Sequence, residues 1–443
     1  MTMNTNTYGC IPGDIRVRQP DRTQIALVAQ CPDDLISKDH PARIIWQLTG
    51  NLDLTRFYER IKAVSGVAGR DATDPRMLLA LWVYAATDGV GSARELDKLC
   101  KESNPYQWLC GGVSVNYHTL ADFRVKHGQA LDELMTQIIA SLLNQKLVTV
   151  SRISQDGTRV RACAGASSFR RKERLEILLK EAEQHVKQLR EQMDDPEQSA
   201  GLSARKKAAM ERAAQERQER VRRAIEQLPA LEEKQKKLKK KLTAKQKQKL
   251  EEQKQPRAST TDAEARRMKM ANGGFGPGVN VQLAVDPKSR AIVGVEVVNS
   301  GVDTDLDEPM RQQVEQRTGQ KVEEHLLDGG YVKFANIDKA AADGVTVFAP
   351  VRPPRNSAKR ENRFEPLPTD SQAVADWRRR MGSESGQAIY KARGSTVETV
   401  NADLKSSRGL VQLTVRGLKK ARCVALISVL AYNLMHFGQF LVG

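Results

Sequence analysis

The chain has 443 residues, 40% of them hydrophobic, and its 71 Lys and Arg outnumber its 54 Asp and Glu, so the formal net charge is +17. The length allows two or three domains with proper cores, and the hydrophobic content excludes a disordered chain. A balance this basic favours a polyanionic partner, with nucleic acid ahead of a membrane surface.

The cysteines and the most apolar segments narrow the class further. The six cysteines form no CxxC pair, which argues against a zinc ribbon or a disulfide framework and fits the reducing cytoplasm. The polar N-terminus, MTMNTNTYGCIPGD, lacks the apolar core of a signal peptide. Residues 423–442 are the one membrane candidate, but Asn433, His436 and Gln439 interrupt them, so this run predicts a buried amphipathic helix.

Residues 1–146 predict a helical domain. The Asp-Pro pair at 74–75 marks a helix start, and Ser92 followed three residues later by Glu95 is a capping-box pattern. Apolar residues then recur at helical spacing over 131–147. Because no strand signal interrupts the helical period, we expect one compact domain that binds DNA or pairs subunits.

The region after residue 146 predicts a mixed sheet with helices packed on it, an α+β or α/β fold. A β-branched strand carries Asp156 in its middle, and VNVQLAVD and AIVGVEVVN, joined by PKSR, form a hairpin pattern. The remaining predicted order is a helix at 305–318, a strand at 323–328, a helix at 334–343, a strand at 345–351 and a helical region from about 371 onward. Five strands with flanking helices over 147–169 and 258–443 therefore predict one domain.

Residues 170–257 predict a helical hairpin inserted into that domain. They hold 26 Lys and Arg against 16 Asp and Glu, and Pro229 predicts a break in the returning helix. Apolar residues repeat at heptad spacing along the first half, namely Leu175, Leu179, Ala182, Val186 and Leu189. The hairpin is either a solvated, charge-laced spacer or a basic arm that contacts DNA.

Three acids stand out as candidates for one site. Asp156 and Asp328 both precede glycine, which indicates either ordinary turns or oxygen ligands of a hard metal ion, with the glycines leaving room for DNA. The fourth strand can lie parallel to the first, so that the two aspartates meet, and Glu398 in a helix-compatible stretch is the third candidate. Three converging carboxylates repel one another unless a cation neutralises them, and without His or Cys they favour Mg²⁺ or Mn²⁺.

At these residues the sequence resembles the DDE transposases of bacterial insertion sequences. The resemblance in the helical part rests on DHPAR (39–43), GRDATDPRMLLALWVYA (69–85), GSARELDKLC (91–100) and NYHTLADFR (116–124). In the sheet region it rests on QDGTRVRA around Asp156, GPGVNVQLAVD (276–286) and LLDGGYV (326–332). The C-terminal block is similar to a Tyr-Arg-Glu-Lys signature, carried by Tyr390, Arg393, Glu398 and Lys405, although four residues separate Arg393 from Glu398 where three is usual.

The resemblance implies an RNase H-like catalytic domain with Asp156, Asp328 and Glu398 as catalytic and metal-binding residues and two Mg²⁺ or Mn²⁺ ions per site. It implies cleavage of DNA at the terminal inverted repeats of the element and transfer of a 3′-hydroxyl strand into target DNA by a homo-oligomer. The residues expected to contact DNA are Tyr390, Arg393, Lys405, Arg124 and Arg159.

The same residues also allow other interpretations. A metal-dependent nuclease on the same sheet would cut DNA without rejoining it, and an inactive relic would bind DNA without holding metal. A coiled-coil scaffold would explain only residues 170–257. His118 at a helix start is expected to be a structural residue, and Asp303 is a minor candidate for a supporting role near the site.

Overall fold

The computed structural model describes residue 23 and residues 31–59, 61–66, 68–195, 201, 203–240, 255–353 and 363–441. The N-terminal 22 residues, the predicted hairpin tip at 196–200 and part of the Pro-rich loop at 354–362 lie outside these described residues.

The N-terminal part is helical, as predicted. Asp74 caps α3 by accepting a hydrogen bond from Arg76 N, and Ser92 caps α4 by accepting one from Glu95 N, so both predicted helix starts are confirmed. Within the described residues the helices α1 to α7 are Pro41–Gly50, Thr55–Tyr58, Pro75–Thr87, Ala93–Glu102, Asn104–Cys110, Tyr117–Lys126 and Gly128–Asn144. Their buried faces share one continuous core with the sheet and the last helix.

The sheet is mixed, and the chain has an α+β fold. Its strands are β1 (Arg152–Arg161), β4 (Arg266–Lys269), β5 (Phe275–Val285), β6 (Ile292–Val298), β7 (Glu324–Leu326) and β8 (Thr346–Phe348). β1 lies at the centre, antiparallel to β5 and parallel to β7, and β8 is parallel to β7 at one edge. β6 pairs with β5 opposite β1, and the short β4, which the sequence pattern does not predict, pairs with the other end of β5.

The register of this sheet places the two aspartates at equivalent positions. Ser154 on β1 pairs with Leu326 on β7, so Asp156 and Asp328 each lie two residues further along parallel chains. The fourth predicted strand is observed as β7. It lies beside the first, β1, and parallel to it, so this prediction is confirmed.

The insertion is a pair of long helices with a short third one. α8 (Lys172–Asp194) packs against α9 (Ala204–Glu226), and α10 (Leu228–Lys240) follows after a break next to Pro229. Four of the five heptad residues of α8 are buried, namely Leu175, Ala182, Val186 and Leu189. A two-stranded ladder of β2 (Phe169–Arg170) and β3 (Ala258–Ser259) closes the neck where the chain enters and leaves the hairpin.

Helices cover the sheet and complete the core. They are α11 (Asp307–Thr318), α12 (Phe334–Ala342), α13 (Gln372–Gly382), α14 (Glu384–Lys391), α15 (Thr399–Ser406) and α16 (Leu418–Leu441). Among the described residues α16 is the one helix long and apolar enough to cross a membrane, but 67% of its most apolar window is buried inside the protein. Asn433 on α16 hydrogen-bonds both the N–H and the carbonyl of Ile292 on β6, so the polar residue that interrupts the apolar run holds this core helix to the sheet.

Candidate active site

Asp156 lies among polar side chains, and both of its carboxylate oxygens have partners. Arg393 Nη2 lies 3.1 Å from Oδ1, and Asn401 Nδ2 donates a hydrogen bond of 3.1 Å to Oδ2. Burial raises the pKa of Asp156, the positive charge of Arg393 opposes that rise, and the negative charges of Asp328 and Asp303 add to it. Burial is thus the main reason that the charged form of Asp156 is disfavoured, and the two neighbouring aspartates add to it.

Arg393 joins Asp156 to Glu398. Its Nη1 lies 3.1 Å from Glu398 Oε1, while the arginine side chain itself is only 7% exposed. A buried guanidinium between two carboxylates compensates part of their repulsion. In this conformation Arg393 thus pairs with both carboxylates, and only a small part of its side chain faces solvent.

Glu398 lies at the end of a π-helical turn, Gly394–Glu398, which leads directly into α15. Its side chain is 58% exposed, so it has room to change rotamer. π-helical turns of this kind recur at functional sites because the extra residue turns a side chain out of the regular helical position. The sequence predicts a helix-compatible stretch here but not this irregular turn.

Asp328 follows β7 and is exposed. Gly329 N donates a hydrogen bond of 2.5 Å to its Oδ1, and Tyr331 N donates to its backbone carbonyl at 3.1 Å. The Asp-Gly-Gly sequence is therefore a turn, and this turn leaves the Asp328 carboxylate at the surface, close enough to Asp156 for its charge to act there.

Tyr390 lies within electrostatic reach of all three acids. Burial raises the pKa of its phenol, Arg393 lowers it, and the charges of Asp328, Glu398 and Asp156 each raise it. All three acids thus lie close enough to one half-buried phenol to act on it electrostatically.

Lys405 also lies near Asp156. Burial lowers the pKa of its ammonium group, the charge of Asp156 raises it, and the charge of Arg159 lowers it. Lys405 therefore stands within electrostatic reach of both the central carboxylate and a second basic side chain.

Asp303 organises a second layer of polar contacts behind Asp156. It forms an ion pair with Arg159 at 2.8 Å and accepts hydrogen bonds from Asn280 Nδ2 at 2.8 Å and Gln282 Nε2 at 2.9 Å. Gln282 Oε1 in turn accepts from the buried Tyr331 hydroxyl. Asp303, expected as a supporting residue, is the acceptor that orders β5 and Arg159 around the site.

Gly157 is required by this network. A Cβ atom at this position would overlap Gln282 Nε2 and lie 2.6 Å from Asp303 Oδ1 and 2.7 Å from Asn280 Oδ1. The sequence suggests that the glycine leaves room for DNA. Its physical role here is to leave room for the protein's own polar side chains.

The acids do not form a closed metal cage in this conformation. Among the described residues, no group of three Asp, Glu, His or Cys side chains lies close enough to hold a metal ion. The donor chemistry nevertheless suits a hard divalent cation, since Asp156, Asp328 and Glu398 offer oxygen ligands. The Glu398 side chain is 58% exposed, so it is the less restrained of the two acids that Arg393 contacts.

Arg124 has a structural position rather than a surface one. It is 4% exposed, its guanidinium lies 4.4 Å from the ring centre of Trp82, and it donates to Gly91 O and Thr414 Oγ1. We therefore assign it a role in joining the helical part to the segment before α16, instead of the DNA contact that the sequence suggests.

Two further residues of the site carry no motif in the sequence. Asn401 stands where an aromatic residue is common in the resembled family, and Gln282 lies in an ordinary alternating strand. Polar residues at inward positions of a buried strand are the sequence feature that indicates these supporting contacts behind Asp156. Asn280 and Gln282 on β5 are such residues.

Comparison with protein families gives two matches, at the two ends of the chain. Residues 30–126 match the Transposase domain (DUF772), and residues 351–437 match the Transposase DDE domain. The second range contains Tyr390, Arg393, Glu398 and Lys405, whereas Asp156 and Asp328 lie between the two ranges. Searches of curated proteins and of solved structures gave no match.

Proposed function

We propose that this chain, which belongs to the DDE transposases of insertion sequences, cuts DNA at the ends of its own element and joins the freed 3′-hydroxyl to target DNA. The observation that carries this proposal is the grouping of three acids from distant parts of the chain. Asp156 on β1 and Asp328 just beyond β7 each lie two residues past the paired Ser154 and Leu326, and Arg393 forms ion pairs with both Asp156 and Glu398.

The domain that bears these acids supports an RNase H-like assignment. Its strand order is β6-β5-β1-β7-β8, with the first three strands antiparallel and the last two parallel to β1. We assign residues 147–169 and 258–443 to this domain, residues 1–146 to the helical domain and residues 170–257 to the insertion.

Asp156, Asp328 and Glu398 are the residues that would hold Mg²⁺ or Mn²⁺, two ions per site. Bound there, the ions would supply Lewis-acid activation of the attacking oxygen and charge neutralisation at the leaving oxygen. In cleavage, water attacks the phosphorus and the bond from phosphorus to the 3′-oxygen breaks, which leaves a 3′-hydroxyl and a 5′-phosphate. In joining, that 3′-hydroxyl attacks a phosphorus of the target, the bond from this phosphorus to the target's 3′-oxygen breaks, and a target 3′-hydroxyl is released.

Neighbouring residues of the protein set the charge and the orientation of Asp156. Burial and the charges of the neighbouring acids raise the pKa of Asp156, and the positive charge of Arg393 opposes this rise. Asn401 fixes the orientation of the same carboxylate through its second oxygen. Arg393 therefore acts through Asp156 and Glu398 as a positioning residue in the present conformation, and it contacts DNA only after one of these ion pairs opens.

The basic residues around the three acids are suited to the phosphate backbone. Lys405 lies within electrostatic reach of Asp156 and of Arg159, and Tyr390 adds a half-buried phenol near all three acids. Positive side chains beside a group of carboxylates attract a phosphodiester that the acids alone would repel. We assign Tyr390, Lys405 and Arg159 to contacts with DNA near the cut.

A strand-transfer assay tests this function. A labelled duplex carrying the DNA that flanks the gene is incubated with the protein, Mg²⁺ and a supercoiled target plasmid. We expect label to appear in the plasmid, because the same site that frees the 3′-hydroxyl also activates it. Cleaved duplex without joined product would instead identify a nuclease, and bound but uncut duplex would identify a DNA-binding relic.

The helical domain is proposed to bind the terminal repeats, and two chains are proposed to pair two element ends. The matched transposase domain covers most of the helices α1 to α7 and supports a shared role for them. Sizing the protein with and without the flanking duplex tests the second point, since a complex with two protein chains and two duplexes is the expected species.

A further inference from the structure

A basic cavity lies at the neck of the inserted hairpin, away from the three acids. Its volume is 350 Å³, and five arginines line it, namely Arg170, Arg174, Arg217, Arg220 and Arg416. Among the lining residues there is no Asp or Glu, and Thr260 and Thr261 are the other polar ones. The neck of the insertion therefore presents a concentrated positive surface.

The fold brings these arginines together from several elements. Arg170 ends β2, Arg174 lies in the first turn of α8, and Arg217 and Arg220 are three residues apart on one face of α9. Beneath them α8, α9, the start of α10 and β3 share a small apolar core of Leu175, Val221, Ala224, Leu228 and Ala258. A packed base of this kind holds the arginine-bearing backbones at fixed separations.

Arg416 reaches the cavity from the other end of the chain. The backbone N–H of Gly417 donates to Asp262 Oδ1 at 3.2 Å, and that of Leu418 donates to Glu264 Oε2 at 2.9 Å. Gly417 has a φ of 88°, a backbone conformation that favours glycine. These hydrogen bonds hold the segment before α16 against the neck, so the cavity joins the insertion to the domain that bears the acids.

The positive charges of the cavity are only partly balanced. Arg174 pairs with Glu181 at 3.4 Å and Arg220 with Glu216 at 3.6 Å, and each of the four side chains is at least 36% exposed. Within the described part of the chain, Arg170, Arg217 and Arg416 have no ion pair. Solvent-accessible pairs of this length contribute little, so the cavity retains strong attraction for an anion.

We propose that this cavity binds the phosphate backbone of duplex DNA and so anchors the DNA beside the inserted hairpin. Guanidinium groups spread over several elements suit several phosphates of one strand, and five donor forks exceed what one small anion requires. The proposal rests on the proposed function in one respect, that DNA is the substrate. It also gives the basic insertion a specific role, where the sequence alone leaves a spacer and a DNA-binding arm equally open.

Salt-dependent DNA binding by the full chain tests the assignment. Fluorescence anisotropy with a labelled duplex of arbitrary sequence is measured for the wild type and for Arg217→Gln/Arg416→Gln at NaCl concentrations from about 50 to about 300 mM. We expect the affinity of the variant to fall about tenfold at about 0.1 M salt. The slope of log affinity against log salt should shrink by about 0.9 for each phosphate that the variant no longer neutralises.

A matched control separates the cavity from general charge. The variant Lys187→Gln/Arg190→Gln removes two positive charges from α8, and Arg190 lies sixteen residues beyond Arg174, about 24 Å along the helix. It should leave the slope nearly unchanged, and Arg217→Lys/Arg416→Lys should restore much of the affinity. Equal losses in the cavity and control variants, or no loss in either, would overturn the proposal.

A second arm distinguishes DNA from a free phosphate group. Calorimetry with inorganic phosphate at matched ionic strength is expected to give no saturable binding to the wild type. Saturable phosphate binding that the cavity variant loses, with duplex binding unchanged, would overturn the DNA assignment. Cleavage is measured separately with the wild type at saturating duplex, so a wild type that binds through the cavity but never cuts would overturn the proposed function alone.

Discussion

Arg393 and Asp156 form an ion pair of 3.1 Å in which the arginine is almost fully buried and the aspartate is 23% exposed. The same guanidinium reaches Glu398, so one cation spans two of the three acids. A positive charge of the protein itself therefore offsets part of the repulsion between these two carboxylates.

Arg393→Gln is expected to shift the pH dependence of DNA cleavage. Burial already raises the pKa of Asp156, and loss of the opposing positive charge raises it further. The carboxylate then becomes protonated at a higher pH, so the acidic limb of the cleavage profile should move upward. Cleavage rates measured from about pH 5 to about pH 9 reveal this shift, because the range brackets a perturbed carboxyl group.

The control for this prediction is Arg379→Gln, which removes an exposed arginine paired with Asp376 on α13. Its profile should match that of the wild type. An acidic limb that stays in place in Arg393→Gln would show that the ion pair has no part in setting the charge of Asp156.

Gly157→Ala is expected to disturb the second layer of the site. The added methyl would overlap the Gln282 amide and crowd Asp303, and neither side chain can move without losing hydrogen bonds. We expect a loss of about 1–3 kcal/mol in the free energy of unfolding, with reduced cleavage. Urea unfolding monitored by circular dichroism gives the first quantity.

Gly91→Ala is the matched control, since a Cβ atom there would meet nothing within 4 Å. It should change the free energy of unfolding much less. Equal stability of the two variants would contradict the account of Gly157.

Asp132→Ala is expected to weaken the union of the helical part with the sheet domain. Asp132 on α7 lies 2.5 Å from Arg317 on α11 and 3.0 Å from Arg422 on α16, and the Arg317 side chain is 3% exposed. Removing the carboxylate leaves a buried guanidinium without its main partner, which costs about 3 kcal/mol. Denaturant unfolding of Asp132→Ala and of the exposed-pair control Glu102→Ala compares the two cases.

The Glu102 control removes an exposed ion pair with Lys98 and should cost less than about 0.5 kcal/mol. A loss in Asp132→Ala no larger than that of the control would mean that the ion pairs among these three helices do not hold the two parts together.

His325 makes the protein less stable as the pH falls. It lies on β7 with no exposed surface, neither ring nitrogen has a partner among the described residues, and burial lowers its pKa from 6.5 to about 3. Between pH 6.5 and about pH 3, His325 therefore binds a proton in the unfolded chain but not in the folded chain. The free energy of unfolding falls as the pH drops through this window. The slope from one such group is at most about 1.4 kcal/mol per pH unit.

His325→Leu removes this contribution without emptying the site. The difference in the free energy of unfolding between about pH 7 and about pH 5, measured with urea, should be smaller in the variant than in the wild type by about 1–2 kcal/mol. The same pH dependence in both proteins would contradict the assignment of the effect to His325.

Much of this architecture follows from local sequence pattern. Alternation identifies the strands on either side of Pro287, and a capping residue marks the start of α3 and α4. The order of the elements allows β7 to lie parallel to β1, because parallel strands need a crossover connection such as a helix. The register that brings Asp156 level with Asp328 is set by the pairing of Ser154 with Leu326, which the sequence does not determine.

The rest depends on contacts between distant segments. β2 and β3 contain two residues each, too few to show the alternating pattern of a strand. They pair where the chain enters and leaves the inserted hairpin. The hydrogen bond from Asn401 to Asp156 depends on how the π-helical turn rotates α15, which spacing along the chain does not determine. Arg393 illustrates the same limit, since its sequence position indicates a phosphate contact while its burial makes it a partner of the acids.

The most direct test of the central claim is whether Asp156, Asp328 and Glu398 act as one unit. Cleavage of the flanking duplex is measured for Asp156→Asn, Asp328→Asn, Glu398→Gln and the triple variant, with Asp376→Asn and Glu384→Gln as exposed-acid controls. We expect each single variant to fall to the same background as the triple variant while duplex binding is retained, and both controls to cleave normally. Full cleavage by any of the three single variants would show that these acids do not act as one unit.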